Sequence, residues 1–164
     1  MDAAVRKTVL RMIPYGLYVL SAKHGDDVSA ATINWVSQMS FEPPLLALGV
    51  KKDTHTFWRL KEGATLALSF LGSGQGDLAF AFFADVTVDG SDFVTSKDAR
   101  VPFEQTSSGA LMLTQAPAWA DVKVIDTIET GDHAVVVVEV TDVGQRVEVP
   151  QILTLKELGL NYGG

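Results

Sequence analysis

The 164 residues carry 13 Lys and Arg against 20 Asp and Glu, a formal net charge of −7 that argues against a general affinity for polyanions and makes nucleic acid a poor partner. Nearly half of the residues are apolar (47%) and a fifth are charged (20%), the balance of an ordinary globular chain with enough length for one domain and its own core, residues 1–164. There is no cysteine, which excludes disulfides, thiolate metal sites, iron–sulfur clusters and cysteine nucleophiles, so any redox chemistry must come from a bound group.

The N-terminal residues lack a long apolar stretch, and no run approaches the roughly 20 apolar residues that span a bilayer, so the expectation is a soluble, cytoplasmic protein without membrane contact. Asp2 can cap a short helix in which Val5, Val9, Leu10, Met12 and Ile13 make an apolar face that ends before Pro14, and this helix is expected to lie as a lid on a sheet. Residues 17–22 and 28–34 favour strand and are joined by Gly25-Asp26-Asp27, which reads as a hairpin.

Residues 30–40 are too polar for a wholly buried strand and are expected to leave the sheet as an irregular edge. After Pro43-Pro44, residues 45–50 are continuously apolar and predict a strand buried on both faces. Asp53 or Thr54 can cap a following helix that carries Phe57, Trp58 and Leu60 and stops at Gly63, and residues 65–71 return as a strand.

A glycine-rich connector, 72–76, leads into a short amphipathic helix over 77–83 whose three phenylalanines require burial. From 85 to 108 the periodicity fades among Asp, Ser, Thr and Gly, predicting a surface excursion with one short helical piece. Residues 119–130 and 134–143 favour strand around the tight Gly131-Asp132-His133, and Tyr162 in the terminal stretch reads on composition as an ordinary frayed residue. Short strands with turn chemistry and few helices indicate a mainly β chain, an antiparallel barrel with peripheral helices.

Two segments could carry chemistry. At 51–56, two ammonium groups, the hydroxyls of Thr54 and Thr56, His55 and the free amides of a starting helix could converge on a phosphate, although Lys51 and Lys52 read equally as solvated charges at a strand end. In 32–40, Asn34, Ser37 and Gln38 offer donors and acceptors to a flat heterocycle, and Trp35 either covers a ring or plugs the core. No Walker or Rossmann glycine loop precedes either segment, no Gly-x-Ser-x-Gly elbow supports hydrolysis, and three histidines without cysteine give no metal-ligand spacing.

Taken in order, Tyr15-Gly16-Leu17-Tyr18-Val19-Leu20, Thr32-Ile33-Asn34 through Ser40-Phe41-Glu42-Pro43-Pro44, Gln75-Gly76-Asp77-Leu78-Ala79 with Phe82-Phe83, and Gly131-Asp132-His133 resemble the flavin reductase-like, FMN-binding split-barrel family over nearly the whole chain. The resemblance implies an antiparallel split barrel, a homodimer with the flavin between subunits, and bound FMN, with FAD as an alternative. It places Thr32, Asn34, Trp35, Ser37 and Gln38 along the isoalloxazine and ribityl chain. Lys51, Lys52, Thr54 and His55 fall at the phosphate, His133 at the entrance where a hydride donor docks, and Tyr162 near the flavin.

The implied activity is hydride transfer from NADH or NADPH to the flavin and onward transfer to a second flavin, a ferric complex or a redox protein. Phe80, Phe82, Phe83, Trp58 and Trp119 become candidate interface residues. Two other readings stay open: a non-enzymatic FMN electron carrier of the flavoredoxin type, and a degenerate split barrel that binds haem or another ligand. Trp35 stands where a smaller residue is common in the family motif.

Overall fold

The computed structural model describes residues 1–61 and 63–164. Helix α1 (Ala3–Leu10) is followed by strands β1 (Tyr18–His24), β2 (Asp27–Ile33), β3 (Val36–Ser40) and β4 (Leu45–Lys51), then by helix α2 (His55–Lys61), strand β5 (Thr65–Phe70) and helix α3 (Gly76–Ala81). Strands β6 (Val86–Asp89), β7 (Asp92–Thr95), β8 (Arg100–Gln105), β9 (Leu111–Leu113), β10 (Ala118–Ile128) and β11 (His133–Gln145) complete the order. Seven strands form one antiparallel sheet in the order β2-β1-β5-β10-β11-β4-β3, and β6-β7-β8-β9 form a second. The architecture is the antiparallel barrel with peripheral helices that the residues predict, and the split barrel that the resemblance implies.

The alternation of β1 and β5 shows how one sheet serves two cores. Val19 of β1 joins Leu71, Phe82, Phe93, Phe103 and Leu113 on one face, while Leu20 and Ala22 join Leu48, Phe57, Leu66, Leu68 and Val136 on the other. With a side-chain period of two, both faces of a central strand are covered, here by α3 and the small sheet on one side and by α2 on the other. Full burial of side chains of this size stabilises by about 1.5–3 kcal/mol each. Polar groups on the Val19 face are satisfied locally: Ser21 donates to the Leu111 carbonyl, and Ser69 accepts from the Leu113 amide at 3.0 Å.

Four expectations change. Residues 85–108 are no loose excursion but three strands, and the segment holds no helix; each strand is short, and its buried positions, such as Phe93, Val101 and Phe103, are too few to show a period. Helix α1 is capped by Asp2, whose carboxylate accepts from the Ala4 and Val5 amides at 2.9 Å, yet it is no lid, because none of its residues is buried. Of the three phenylalanines around α3 only Phe82 is buried; Phe80 and Phe83 pair edge to face at 5.2 Å on the surface. In β4 only Leu48 and Val50 are buried, so its second face is partly open.

A fifth expectation changes as well: residues 30–40 do not leave the sheet, since 30–33 belong to β2 and Val36–Ser40 form β3, an edge strand paired with β4 with one irregularity between Gln38 and Ser40. The exposed edge of β2 is closed by α3: Thr32 donates its amide to the Phe82 carbonyl at 3.0 Å and its hydroxyl to the Ala79 carbonyl at 2.7 Å. The C-terminal segment is stitched in as well. Leu153, fully buried, accepts from the Leu17 amide at 2.9 Å and donates to the Leu71 carbonyl at 2.8 Å, and the Leu155 amide reaches the Tyr15 carbonyl. Among the described residues no helix is long and apolar enough to cross a membrane.

Candidate functional site

The pairing of β4 with β11 sets Lys51 directly opposite His133. The stitched C-terminal segment brings Tyr162 to the same place, and α3 delivers Phe82 and Phe83 beside Thr32. These groups line one cavity of about 450 Å3, together with Ile33, Asn34, Gly49, Val50, Thr54, Thr56 and Leu155. Its volume lies within the range of small-molecule sites, about 300–1,000 Å3, and its wall is mostly apolar with few polar groups.

Aromatic rings build one end of the cavity. His133 Nδ1 lies 3.0 Å from an Asp132 carboxylate oxygen, and Nε2 lies 2.8 Å from the Tyr162 hydroxyl. In the neutral ring the carboxylate therefore holds the proton on Nδ1, and Nε2 accepts from the phenol. Burial pushes the Tyr162 phenol above its ordinary range, which keeps it a donor, while the hydrogen bond to His133 holds the Asp132 carboxyl below its own. Trp35 packs against both rings, with centroids 4.5 Å from His133 and 5.4 Å from Tyr162. It can do so because position 49 is glycine: a Cβ there would lie 2.7 Å from the indole.

The polar atoms of the wall are unequal. Asn34 is buried, and its Nδ2 has no hydrogen-bond partner; the same holds for Trp35 Nε1. A buried donor left unpaired costs about 1–3 kcal/mol, and of these two residues only Asn34 lines the cavity. Lys51 donates to Asp53 at 2.8 Å, and that bond holds the ammonium above and the carboxyl below its ordinary range. The Thr54 hydroxyl donates to the Lys51 carbonyl at 2.7 Å and accepts from the Phe57 amide at 3.3 Å, capping α2.

Of the residues singled out in the sequence, Thr32, Asn34, Lys51, Thr54, His133 and Tyr162 line this cavity, and Trp35 supports it from behind Gly49. Lys52 does not join Lys51: neighbouring side chains at a strand end point to opposite sides, and its ammonium binds the Glu129 carbonyl at 3.0 Å. His55 turns outward, with Nδ1 3.6 Å from Asp85. Ser37 and Gln38 are exposed on β3 and lie outside the cavity wall. Thr56, grouped with Thr54 in the sequence reading, also lines the wall; that reading missed Gly49, Phe83 and Leu155, and a glycine inside the apolar run 45–50 is the one signal that pointed to a close approach there.

A sequence model described as the flavin reductase like domain matches residues 10–158. The chain belongs to this family. Diflavin flavoprotein A 1 of Synechocystis sp. is 30% identical over 142 residues, which cover 87% of this chain and 24% of that protein. The chain thus spans about a quarter of the length of such relatives. The NADH:FMN oxidoreductase of Rhodococcus erythropolis is 29% identical over 84% of this chain and 68% of its own length.

Among solved structures, the NADH:FAD oxidoreductase SgcE6 of Streptomyces globisporus C-1027, in complex with NAD and FAD fragments, superposes with a TM-score of 0.76 at 25% identity, covering 94% of this chain and 90% of that one. Flavin reductase PheA2 superposes with a TM-score of 0.77 at 21% identity over 93% and 94%. The likeness to PheA2 supports the split-barrel fold.

Proposed function

We propose that residues 1–164 form one flavin-dependent reductase domain that holds FMN in the 450 Å3 cavity and passes to it a hydride from NADH or NADPH. Electrons then leave for a second flavin, a ferric complex or a redox protein. The observation that carries this reading is a mostly apolar cavity whose lining includes buried Asn34, with an unpartnered Nδ2, alongside Lys51 and Thr54. Family membership and the activities for which the Rhodococcus and Streptomyces relatives are named support it.

The residues fit such a cofactor. Ile33, Val50, Phe82 and Phe83 suit a flat apolar ring, Asn34 its polar edge, and Lys51 with Thr54 a phosphate, which would share the ammonium with Asp53. Bound flavin would supply the hydride acceptor and donor. The chain's own part is to bind and orient, to keep water from the apolar wall, and to hold the His133 imidazole in one tautomer between Asp132 and Tyr162.

A homodimer accompanies this reading, supported by the uncovered apolar side chains of α1, where Val5 and Val9 are more than half exposed. A second reading, an FMN electron carrier without nicotinamide activity, draws support from the diflavin relatives, of which this chain matches only a part.

Asn34→Leu tests the conclusion. It removes the unpaired donor without changing shape greatly, so the ligand-free protein should melt at the same or a higher temperature while FMN affinity falls about tenfold in a fluorescence titration. Unchanged FMN affinity would contradict the assignment.

A further inference from the structure

Where β4 ends, the chain answers its own cation. Lys51 stands in the cavity wall and its ammonium donates to an Asp53 carboxylate oxygen at 2.8 Å, while Asp53 itself lies just outside the wall. Lys52 is turned away to the Glu129 carbonyl and His55 to Asp85, so of the three basic side chains in this segment only Lys51 faces the cavity.

Two carboxylates act on that ammonium, Asp53 most strongly and Asp132 after it, and the charges of all three groups reach the Tyr162 phenol in the same wall. One positive charge therefore meets two negative ones. The two carboxylates differ in what they hold: Asp132 lies 3.0 Å from His133 Nδ1 and orients the imidazole, whereas Asp53 occupies the group that a phosphate needs. A phosphate monoester carries a charge of about −1.5 to −2 at neutral pH. An ammonium has three N–H donors, so carboxylate and phosphate can share it, but they then repel each other across it.

We propose that Asp53 is a specificity-determining residue, a carboxylate that competes with the flavin phosphate for Lys51 and so sets how strongly FMN is preferred over riboflavin. The inference rests on the flavin reading of the first cavity and adds the residue that limits its affinity. Riboflavin has no phosphate and does not meet the competition. Asp53 therefore narrows the gap between the two flavins and speeds the release of FMN. The pair is open to solvent, with side chains 50% and 68% exposed, so it contributes little to the fold and can be altered without unfolding the chain.

The experiment is a fluorescence titration of the intact protein with FMN and, separately, with riboflavin, for the wild type, Asp53→Asn and Asp53→Glu. Asp53→Asn should bind FMN at least about fivefold more tightly and release it more slowly, with riboflavin affinity unchanged. Asp53→Glu keeps the charge and should bind FMN within about twofold of the wild type. The gain in Asp53→Asn should shrink at high salt, because exposed charges are screened.

An FMN affinity equal to or weaker than wild type in Asp53→Asn, with riboflavin binding intact, overturns the role of Asp53 alone. The same holds if both flavins tighten alike, since the effect would then not pass through the phosphate, or if Asp53→Glu tightens FMN as much as Asp53→Asn. Failure of the wild type to bind either flavin overturns the reading of the first cavity, and this one with it.

Discussion

His133 and Tyr162, 29 residues apart in sequence, meet with imidazole Nε2 2.8 Å from the phenol oxygen. The bond exists because two independent features converge: the β4 and β11 register fixes His133 beside Lys51, and burial of Leu153 between the Leu17 and Leu71 strand ends fixes the C-terminal segment. Replacing His133 with Ala should leave FMN content nearly normal, since Asn34, Lys51 and Thr54 are untouched, and slow reduction by nicotinamide. Stopped-flow traces equal to wild type would remove His133 from the reaction.

The phosphate end is tested with Lys51→Ala combined with Thr54→Ala. Each charge-assisted hydrogen bond lost is worth about 1.5–3 kcal/mol, so FMN affinity should fall by well over tenfold. Because Thr54 also caps α2, riboflavin serves as the control: it lacks the phosphate and should bind both proteins alike. Equal losses for FMN and riboflavin would mean that the variant harms the fold rather than a phosphate contact.

Asp132 gives a pH-dependent signature. The hydrogen bond and charge of His133 hold its carboxyl below the ordinary 3.8. The folded state therefore binds fewer protons than the unfolded chain as the carboxyl titrates, and the contribution of the pair is present above the unfolded carboxylate range and lost as pH falls through the lower, folded value. Carbon NMR of the Asp132 carboxyl should show a midpoint below 3.8 that moves back up in His133→Ala. A midpoint indifferent to that substitution would show that the two side chains do not pair in solution.

Leu153→Ala should destabilise by about 2–5 kcal/mol, the cost of truncating a fully buried leucine. It should also weaken FMN binding, although Leu153 lies outside the cavity wall, because Leu155 and Tyr162 depend on the same stitch. Loss of stability with full retention of flavin affinity would separate the C-terminal segment from the site.

Gly49→Ala places a methyl 2.7 Å from the Trp35 ring. Overpacking of this kind costs about 1–3 kcal/mol, and the indole must shift from His133 and Tyr162. A lower melting temperature and altered tryptophan emission are expected; emission and stability equal to wild type would show that Trp35 is not seated on residue 49.

The parts of the fold that were legible in the sequence are those with long, two-sided signals. β1, β4, β5, β10 and β11 show apolar runs or alternation bounded by turns such as Gly25-Asp26-Asp27 and Gly131-Asp132-His133. β6 to β9 were invisible for a physical reason: strands of 3 to 6 residues fall below any useful window, and the Asp and Thr of β6 and β7 mimic a loop. Of the apolar face expected for α1, Val5, Val9 and Leu10 lie in the helix and Met12 and Ile13 lie beyond its end, and periodicity carries no information about what covers such a face.

For the site, residue type and approximate place were legible, and direction was not. Lys51 and Lys52 form one basic pair in the sequence and go to different partners, Asp53 and the Glu129 carbonyl. Tyr162 read as frayed on composition, because its position depends on the long-range insertion of Leu153, and only the family resemblance pointed to it. Gly49 matters through the bulk of Trp35, a contact that spacing cannot reveal.

The central claim is tested most directly by an absorption spectrum of the purified protein mixed with FMN, followed by anaerobic NADH or NADPH. The account predicts a perturbed flavin spectrum whose visible absorption bleaches on adding the nicotinamide nucleotide. A flavin spectrum identical to free FMN, or a bound flavin that no nicotinamide nucleotide reduces, would contradict it.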